Sequence, residues 1–551
     1  MTEPQPIQLR PPEYSTPGPP NGAEGGGSLH VSRSMGDRQA RRLILLLQFL
    51  FFLTGCFHLN GPFLSMHHER QNQTFELAQH VFQQGWPAVW MPTASFSLNG
   101  AEVQSFTIAH QQVPMHGLLG WPLARITHHE AASVVIVSLL FAVISLKVMY
   151  GILRVWLPPE PAVAGTLLWA TAPLTLHLGQ VPMPDILCTT GVMASFLCAM
   201  RGRLFRSSFW FLFAILTKAS VIVFGLPILI GLLTASECRS AGRVVGLSLL
   251  WGAAPLAGLA GWIALEAHIP HTVWTLVGSM THQTVSAAPS VFSLKFYFLL
   301  IGCLVPFGLG FVGTLALVFA PRNTSGKIPV SIKWAVVISC AAYLFCVVRK
   351  VAEPQYYLPL LACAVVAASF GLVPMVAWFR RWVSWRPILG LVVGIHLIVA
   401  FVLTWDLKQS RVPDFAEIQK TAALIPAGAR VVVVYRFYGA SAGVWLHHNV
   451  LAVSDAPELE AALAKKPSLV DLGFTRLVIL DLASHHGAFL KLDLATYFAN
   501  AVRWAAGKPT SGTQALSLSN EALPTSPTRQ YCDPRFPRLF EGAHVVLYQL
   551  N

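Results

Sequence analysis

The sequence predicts a mainly α-helical, polytopic transmembrane bundle with a small C-terminal extramembrane α/β domain. Three observations predict it. The chain of 551 residues is 54% hydrophobic and only 11% charged, whereas soluble domains carry about 25% charged residues. The shortage is spread over repeated apolar runs near the ~20 residues that a bilayer span needs. Beyond residue 406 charge rises and the apolar runs shrink to strand length. The formal net charge of +13 does not point to nucleic acid. The basic residues stand in short clusters beside apolar runs, which is the pattern of membrane topology signals. The nine cysteines lie almost all in apolar stretches, at spacings that suit neither zinc nor a disulfide framework.

Taken in order, residues 1–37 are rich in Pro, Gly and Ser and too poor in large apolar groups to offset chain entropy. With the basic cluster 38-RQARR-42 they make a disordered cytoplasmic tail, residues 1–42. The run 43-LILLLQFLFFLTGCFHL-59 follows. A basic flank before an apolar run also describes a signal peptide. The long polar leader, the lack of a small-residue cleavage pattern and the many later spans favour an uncleaved anchor. The chain then emerges outside and stays there over 60–130. Within that segment Thr74 to Gln84 reads as an amphipathic helix, with Phe75, Leu77, Ala78, Val81 and Phe82 at helical spacing. Such a helix either lies in the membrane interface or packs on the bundle.

Spans follow at 131–153, 162–179 and 184–200. They put 180-QVPMPD-185 outside and 201-RGRLFR-206 inside. Residues 207–235 separate two basic clusters that both belong inside, yet they are too few for two full crossings. A re-entrant pair turning near Lys218 resolves this, because broken helices are tolerated where they line a cavity. Spans at 244–266, 293–320, 333–348, 358–378 and 387–405 complete a membrane domain over 43–405. Every basic cluster is then cytoplasmic except Arg349–Lys350. Residues 406–551 form the outer α/β domain, with strands at 429-ARVVVVY-435, 475-TRLVILDL-482 and 544-HVVLYQL-550. A helix over 456–465 is capped by Asp455.

Polar residues that bear chemistry concentrate at the outside ends of these spans. They are 67-HHERQNQTFELA-78, 180-QVPMPD-185, 216-LTKAS-220 and 349-RKVAEPQYY-357. In this order the four segments resemble the GT-C membrane glycosyltransferases. Within them they are similar to the dolichyl-phosphate-mannose protein mannosyltransferase group, which includes the lipid A aminoarabinose transferases. His67, Arg70, Gln71 and Thr74 match a first-loop motif of bacterial members. The family's aspartate falls on Gln73, so either Glu69 or Glu76 supplies the carboxylate or the activity is lost. The 180-QVPMPD-185 corner is similar to the family's second-loop acidic corner. Lys218 stands in its Leu–Thr–Lys segment, and Tyr356–Tyr357 before Leu358–Pro359 resemble its Tyr–Tyr–Leu–Pro stretch. The Glu–Phe–Pro segment usual in the first loop is not evident near 100-GAEVQSF-106. The resemblance covers about 45–400.

The resemblance implies transfer of a sugar from a polyprenyl-phosphate donor to a glycan, lipid or protein acceptor at the outer face, with inversion. It implies no nucleic-acid partner. The protein is then a glycosyltransferase, hexosyl or pentosyl, of a bacterial inner membrane, with a cytoplasmic N-terminus and a periplasmic C-terminal domain. An attacking hydroxyl must lose its proton to a carboxylate within hydrogen-bond reach. A leaving phosphate gains charge that Lys or Arg can hold. The expected catalytic residues are Glu69 as base and Asp185 as an assisting acid. His67, Arg70, Gln71, Lys218, Arg349, Lys350, Tyr356 and Tyr357 are expected to bind substrate.

Each has a plainer reading. Glu69 is also a solvated loop acid, Asp185 a helix cap and Lys218 a topology signal. Arg349 and Lys350 are also snorkelling cations, and the tyrosines an interfacial belt. No cofactor is expected. His67, His68, His110, His116, His128 and His129 share the first loop, so a divalent metal is the one addition that their chemistry allows. Asn72 opens a glycosylation sequon. Two other functions fit the composition. A lipid-linked sugar flippase would show repeats and polar groups at the membrane midplane. A degenerate family member would serve as an assembly partner.

Overall fold

The computed structural model describes residues 35–56, 68–85, 95–99, 102–106, 113–237, 240–268, 304–320, 328–346, 354–379, 385–408, 415–434, 439–448, 450–453, 456–464, 469–480 and 527–550, together with 59, 63, 65, 297 and 300–301. The proposed disordered tail up to residue 34, His67, Arg349, Lys350 and the cap Asp455 lie outside the described residues. The described chain falls in one compact unit, Gly36–Asn551.

The first anchor is α1, Asp37–Cys56. The first-loop helix α2, His68–Gln84, begins six residues before the predicted Thr74. A β-hairpin follows, β1 Ser95–Asn99 and β2 Glu102–Phe106. Then come α3 Met115–Thr127 and α4 Glu130–Trp156. Asp37 at the start of α1 pairs with Arg154 near the end of α4, Oδ1 to Nη2 2.9 Å. The next span is split into α5, Pro159–Thr171, and α6, Pro173–Leu178. Pro173 lacks the N–H that would continue the ladder, so it opens a new helix instead.

Helix α7 runs over Pro184–Met200, the predicted bounds. Helix α8, Leu204–Thr217, stops at Lys218, a 3₁₀ segment covers Ala219–Phe224, and α9 takes Gly225–Ala235. Both arms lie on α7. A Cβ on Gly191 would meet that of Ala214 at 3.0 Å, and one on Gly231 would meet Met200 Sδ at 3.0 Å. Helix α8 therefore runs antiparallel to α7 and α9 returns along it, with the turn at the Asp185 end.

The remaining bundle helices are α10 Ala241–His268, α11 Gly310–Phe319, α12 Val330–Cys346, α13 Leu358–Phe379 and α14 Trp385–Lys408. A π-helical turn, Val305–Leu309, precedes α11. Among the described residues four helical stretches are long and apolar enough to cross a membrane: Asp37–Cys56, Glu130–Trp156, Ala241–Leu265 and Gln355–Phe379. The bundle core is one continuous apolar cluster drawn from α1, α4 to α9 and α10 to α13. Its closest approach is at Gly371, where a Cβ would stand 1.7 Å from the Ala316 carbonyl oxygen. Only glycine lets α11 and α13 meet there.

The C-terminal domain contains α15 Phe415–Ala423, β3 Arg430–Val434, α16 Gly439–Leu446, β4 Val450–Val453, α17 Ala456–Leu463 and β5 Phe474–Leu480. It ends with α18 Pro527–Cys532, β6 Arg538–Glu541 and β7 Val545–Gln549. The three predicted strands and the helix form, with their ends shifted by a residue or two. Strand β3 pairs in parallel with β4 and β5. Its valine run is buried on both faces, as a central parallel strand requires. Val431 and Val433 enter a cluster with Ile418 and Trp445, whereas Val432 and Val434 enter one with Leu459 and Cys532.

The sequence reading did not foresee the sheet's far edge. The order is β2-β1-β4-β3-β5-β7-β6, so the first-loop hairpin supplies two strands to the C-terminal sheet. Val444 of α16 also packs against the cluster of Phe63, Phe75 and Phe82. The amphipathic helix thus spends its apolar face on protein: Phe75, Leu77, Ala78, Val81 and Phe82 are all buried.

Candidate functional site

The site begins with two chain breaks. Pro184 at the first position of α7 puts Asp185 in the first helical turn, where a carboxylate is favoured by the helix dipole. The break after α8 leaves Lys218 extended, at φ −158° and ψ 103°. Its side chain crosses to α7. Lys218 Nζ donates to Asp185 Oδ1 at 2.5 Å, with the two side chains only 13% and 3% exposed. The same ammonium lies 3.7 Å from the centroid of the Tyr356 ring, within cation–π range. Tyr356 is held there by the 3₁₀ turn Pro354–Tyr357 that leads into α13.

Residues 33 and 171 positions from Asp185 in the sequence thus converge on one point. The neighbouring Tyr357 is only 1% exposed and belongs to the bundle core. The 180-QVPMPD-185 corner is tied down at its other end, where Lys408 Nζ at the end of α14 donates to Gln180 Oε1.

An almost wholly apolar cavity of about 250 Å³ lies between α4, α7, α9, α12 and α13; Asp185, Lys218 and Tyr356 do not line it, and the charged residue in its lining is Lys333 of α12. Thr189 lines it one turn beyond Asp185, Phe224 closes the 3₁₀ segment that starts after Lys218, and Pro359 follows Tyr356 by three residues. On α12, Val336 lines the cavity and Tyr343 stands two turns further on. Trp156 lines the cavity from the last turn of α4.

The first-loop residues are anchored near this point without touching it through any described bond. The Val113 N–H donates to the Leu216 carbonyl at 3.1 Å, two residues before Lys218. Val81 of α2 packs with Val113 and Ala219. At the other end of α2, Arg70 donates to the Gln73 amide oxygen. The Gln71 amide nitrogen donates to Ser65 Oγ at 2.9 Å. Gln73, at the family's aspartate position, is buried, and its partner is the cation that an aspartate there would meet. Glu69 is the second residue of α2, and its side chain lies outside what the structure describes.

The sequon reading fails on burial. Asn72 is fully enclosed, and its amide nitrogen donates to the Phe63 carbonyl at 3.1 Å. His116 is likewise enclosed, its Nε2 2.9 Å from Ser138 Oγ. Burial, aided by the charge of Arg70, pushes its pKa down to about 3, so the ring is neutral and packed. Among the described residues no group of three His, Cys, Asp or Glu side chains is placed to hold a metal ion.

Comparison with known proteins follows the same lines. Residues 111–274 match the model of the family described as dolichyl-phosphate-mannose-protein mannosyltransferase, the family that the loop motifs resemble. The match takes in α3 to α10, with Asp185 and Lys218 inside it. No curated protein sequence matches the chain. The crystal structure of ArnT from Cupriavidus metallidurans bound to undecaprenyl phosphate superposes with a TM-score of 0.57. It shares 12% identity and covers 93% of this chain and 98% of its own. The Archaeoglobus fulgidus oligosaccharyltransferase in the apo form gives a TM-score of 0.52 at 9% identity, over 82% of this chain and 71% of its own. The same enzyme tethered to an acceptor peptide gives 0.51 at 10% identity, over 86% and 71%. At such identities the likeness shows the fold. The chain is an integral membrane helical bundle of GT-C architecture with a small extramembrane α/β domain.

Proposed function

We propose that this chain, a GT-C membrane protein with the mannosyltransferase signature over 111–274, moves a sugar from a polyprenyl-phosphate donor to an acceptor. The single observation that carries the reading is the buried Lys218 ammonium, held by Asp185 one turn along α7 from Thr189 of the apolar cavity. A long isoprenoid needs an apolar channel, and its phosphate needs a cation at the channel's end. Lys218 is that cation. The solved relative that holds undecaprenyl phosphate supports the donor class, and the one tethered to an acceptor peptide supports an acceptor brought from outside the bundle.

In the reaction the acceptor oxygen attacks the anomeric carbon as the bond from that carbon to the phosphate oxygen breaks, with inversion. The phosphate leaves with the electron pair on its lipid, and Lys218 holds the new charge. Arg349 and Lys350, seven and six residues before Tyr356, are the further cations of this end. Glu69 takes the acceptor proton, with His67, Arg70 and Gln71 shaping its loop.

Asp185 was expected to assist as an acid. Its carboxylate faces Lys218, so its role here is to hold that ammonium in place. Tyr356 screens the ammonium from the bilayer, and Tyr357 supports the turn. No cofactor is assigned. The C-terminal domain, joined to the first loop through β1, β2 and α16, presents the acceptor on the periplasmic side of a bacterial inner membrane. The sugar is a hexose or a pentose.

The test is purified protein given a panel of polyprenyl-phosphate sugars and candidate acceptors, with products read by mass. Glycosylated product that disappears in Glu69→Gln and Lys218→Met supports transfer. Movement of the lipid-linked sugar across vesicles without transfer would make the protein a flippase. Full activity in both variants would remove the assigned roles.

A further inference from the structure

The apolar cavity extends along its helices away from Asp185. Thr189 and Pro359 line it near the starts of α7 and α13. Trp156 lines it from the last turn of α4, Phe196 from near the end of α7 and Lys333 from the first turn of α12. The Trp156 and Phe196 rings stand together there, centroids 6.1 Å apart. From Asp185 to Phe196 helix α7 rises about 16 Å, so one phosphate cannot meet both ends. In the orientation proposed above, the Lys333 end faces the cytoplasm, and Arg201 at the end of α7 adds a second cation to that side. Helix α12 packs on α9 and the 3₁₀ segment, and α13 packs on α5, α7 and α11. The two helices face each other across the cavity. Lys333 and Val336 are half-buried at its rim. Beside them Trp334 and Val337 are exposed, 63% and 55%, on a face that only lipid would cover.

We propose that the Lys333 end of this cavity is a second lipid site, for an anionic phospholipid of the cytoplasmic leaflet. One acyl chain enters between α12 and α13, and the headgroup phosphate rests on the Lys333 ammonium. An apolar slot with a lysine at its rim matches an apolar chain that ends in an anion. Basic pockets between helices on the cytoplasmic side recognise such headgroups. The site goes beyond the donor reading, whose phosphate belongs at the opposite end of α7. The shared chemistry is a phosphate on an apolar chain, and the leaflet assigns it to a phospholipid.

Native mass spectrometry of the full chain in detergent tests this with four probes: phosphatidylglycerol, phosphatidylcholine with the same chains, glycerol 1-phosphate and polyprenyl monophosphate. Wild type should prefer phosphatidylglycerol to phosphatidylcholine and ignore glycerol 1-phosphate. Lys333→Gln should lose phosphatidylglycerol affinity on the order of 5- to 100-fold, between the pull of one surface charge and that of one hydrogen bond to a charged group. Its phosphatidylcholine affinity should stay level, which also reports an intact fold. Lys218→Met should bind phosphatidylglycerol as wild type does. No preference between the two phospholipids, or an unchanged phosphatidylglycerol affinity in Lys333→Gln, overturns the proposal. Equal losses for both phospholipids overturn the headgroup contact. Glycerol 1-phosphate bound as tightly, and through Lys333, overturns the seat for the chain. A polyprenyl-phosphate loss in Lys333→Gln as large as that for phosphatidylglycerol gives the anion to the donor. A phosphatidylglycerol loss in Lys218→Met overturns the separation of the two sites.

Discussion

Replacing Asp185 with Asn strands a buried cation, and the structure sets the scale of the damage. At the observed 2.5 Å separation, two unit charges attract by roughly 7 kcal/mol at an effective dielectric of ~20. Desolvation costs several kcal/mol for each ion, so the intact pair is close to neutral for stability. Removing one partner leaves the other's desolvation unmet, at about 3–5 kcal/mol. In a chain of this size 1 kcal/mol moves the thermal midpoint by about 1 °C. The expected drop for Asp185→Asn is therefore roughly 3–4 °C.

The double variant Asp185→Asn with Lys218→Met should recover most of that loss, since neither charge is then buried. A phosphate lipid should rescue the single variant as well, by replacing the missing counter-charge. At a concentration near 100 times Kd the gain is about 2.7 kcal/mol. Thermal unfolding of the four combinations, with and without polyprenyl phosphate, makes the double-mutant cycle. A single variant as stable as wild type, or a double variant worse than the single, would refute the view that Asp185 serves Lys218.

Two further outcomes are expected. Tyr356→Ala should raise the donor KM about 2- to 30-fold, the range of a cation–π contact worth ~0.5–2 kcal/mol, and Tyr356→Phe should not; equal effects would remove the ring contact from the argument. In the C-terminal domain, partial burial works to raise the Asp533 carboxyl, but hydrogen bonds from Tyr548, Arg538 and Arg529 outweigh it and hold the pKa below its ordinary value. The sign follows from linkage: this stabilisation is complete above the unfolded carboxylate pKa of about 3.9 and is lost as pH falls through the lower folded value. Between pH 6 and 3 the midpoint of Asp533→Asn should fall less steeply than that of wild type; parallel curves would count against the network.

The amino-acid sequence by itself determined most of the secondary structure here, because lipid and a two-sided core each impose a period or a length. Long apolar runs with basic flanks located the bundle helices, and the run 429-ARVVVVY-435 announced a strand. Pro184 marked the start of α7. The need to fit 207–235 between two basic clusters pointed to a turn at Lys218, where the structure breaks the helix.

Only the tertiary structure decided what meets what. Asp185, Lys218 and Tyr356 carry no local signal for one another. Their junction depends on α8 turning back along α7 and on α13 closing against α7. The same holds for the first-loop hairpin, whose strands find their partner, β4, only some 350 residues later. Periodicity is a property of neighbours along the chain. A site assembled from four helices is a property of packing, and packing is decided by shape and charge that no single segment contains.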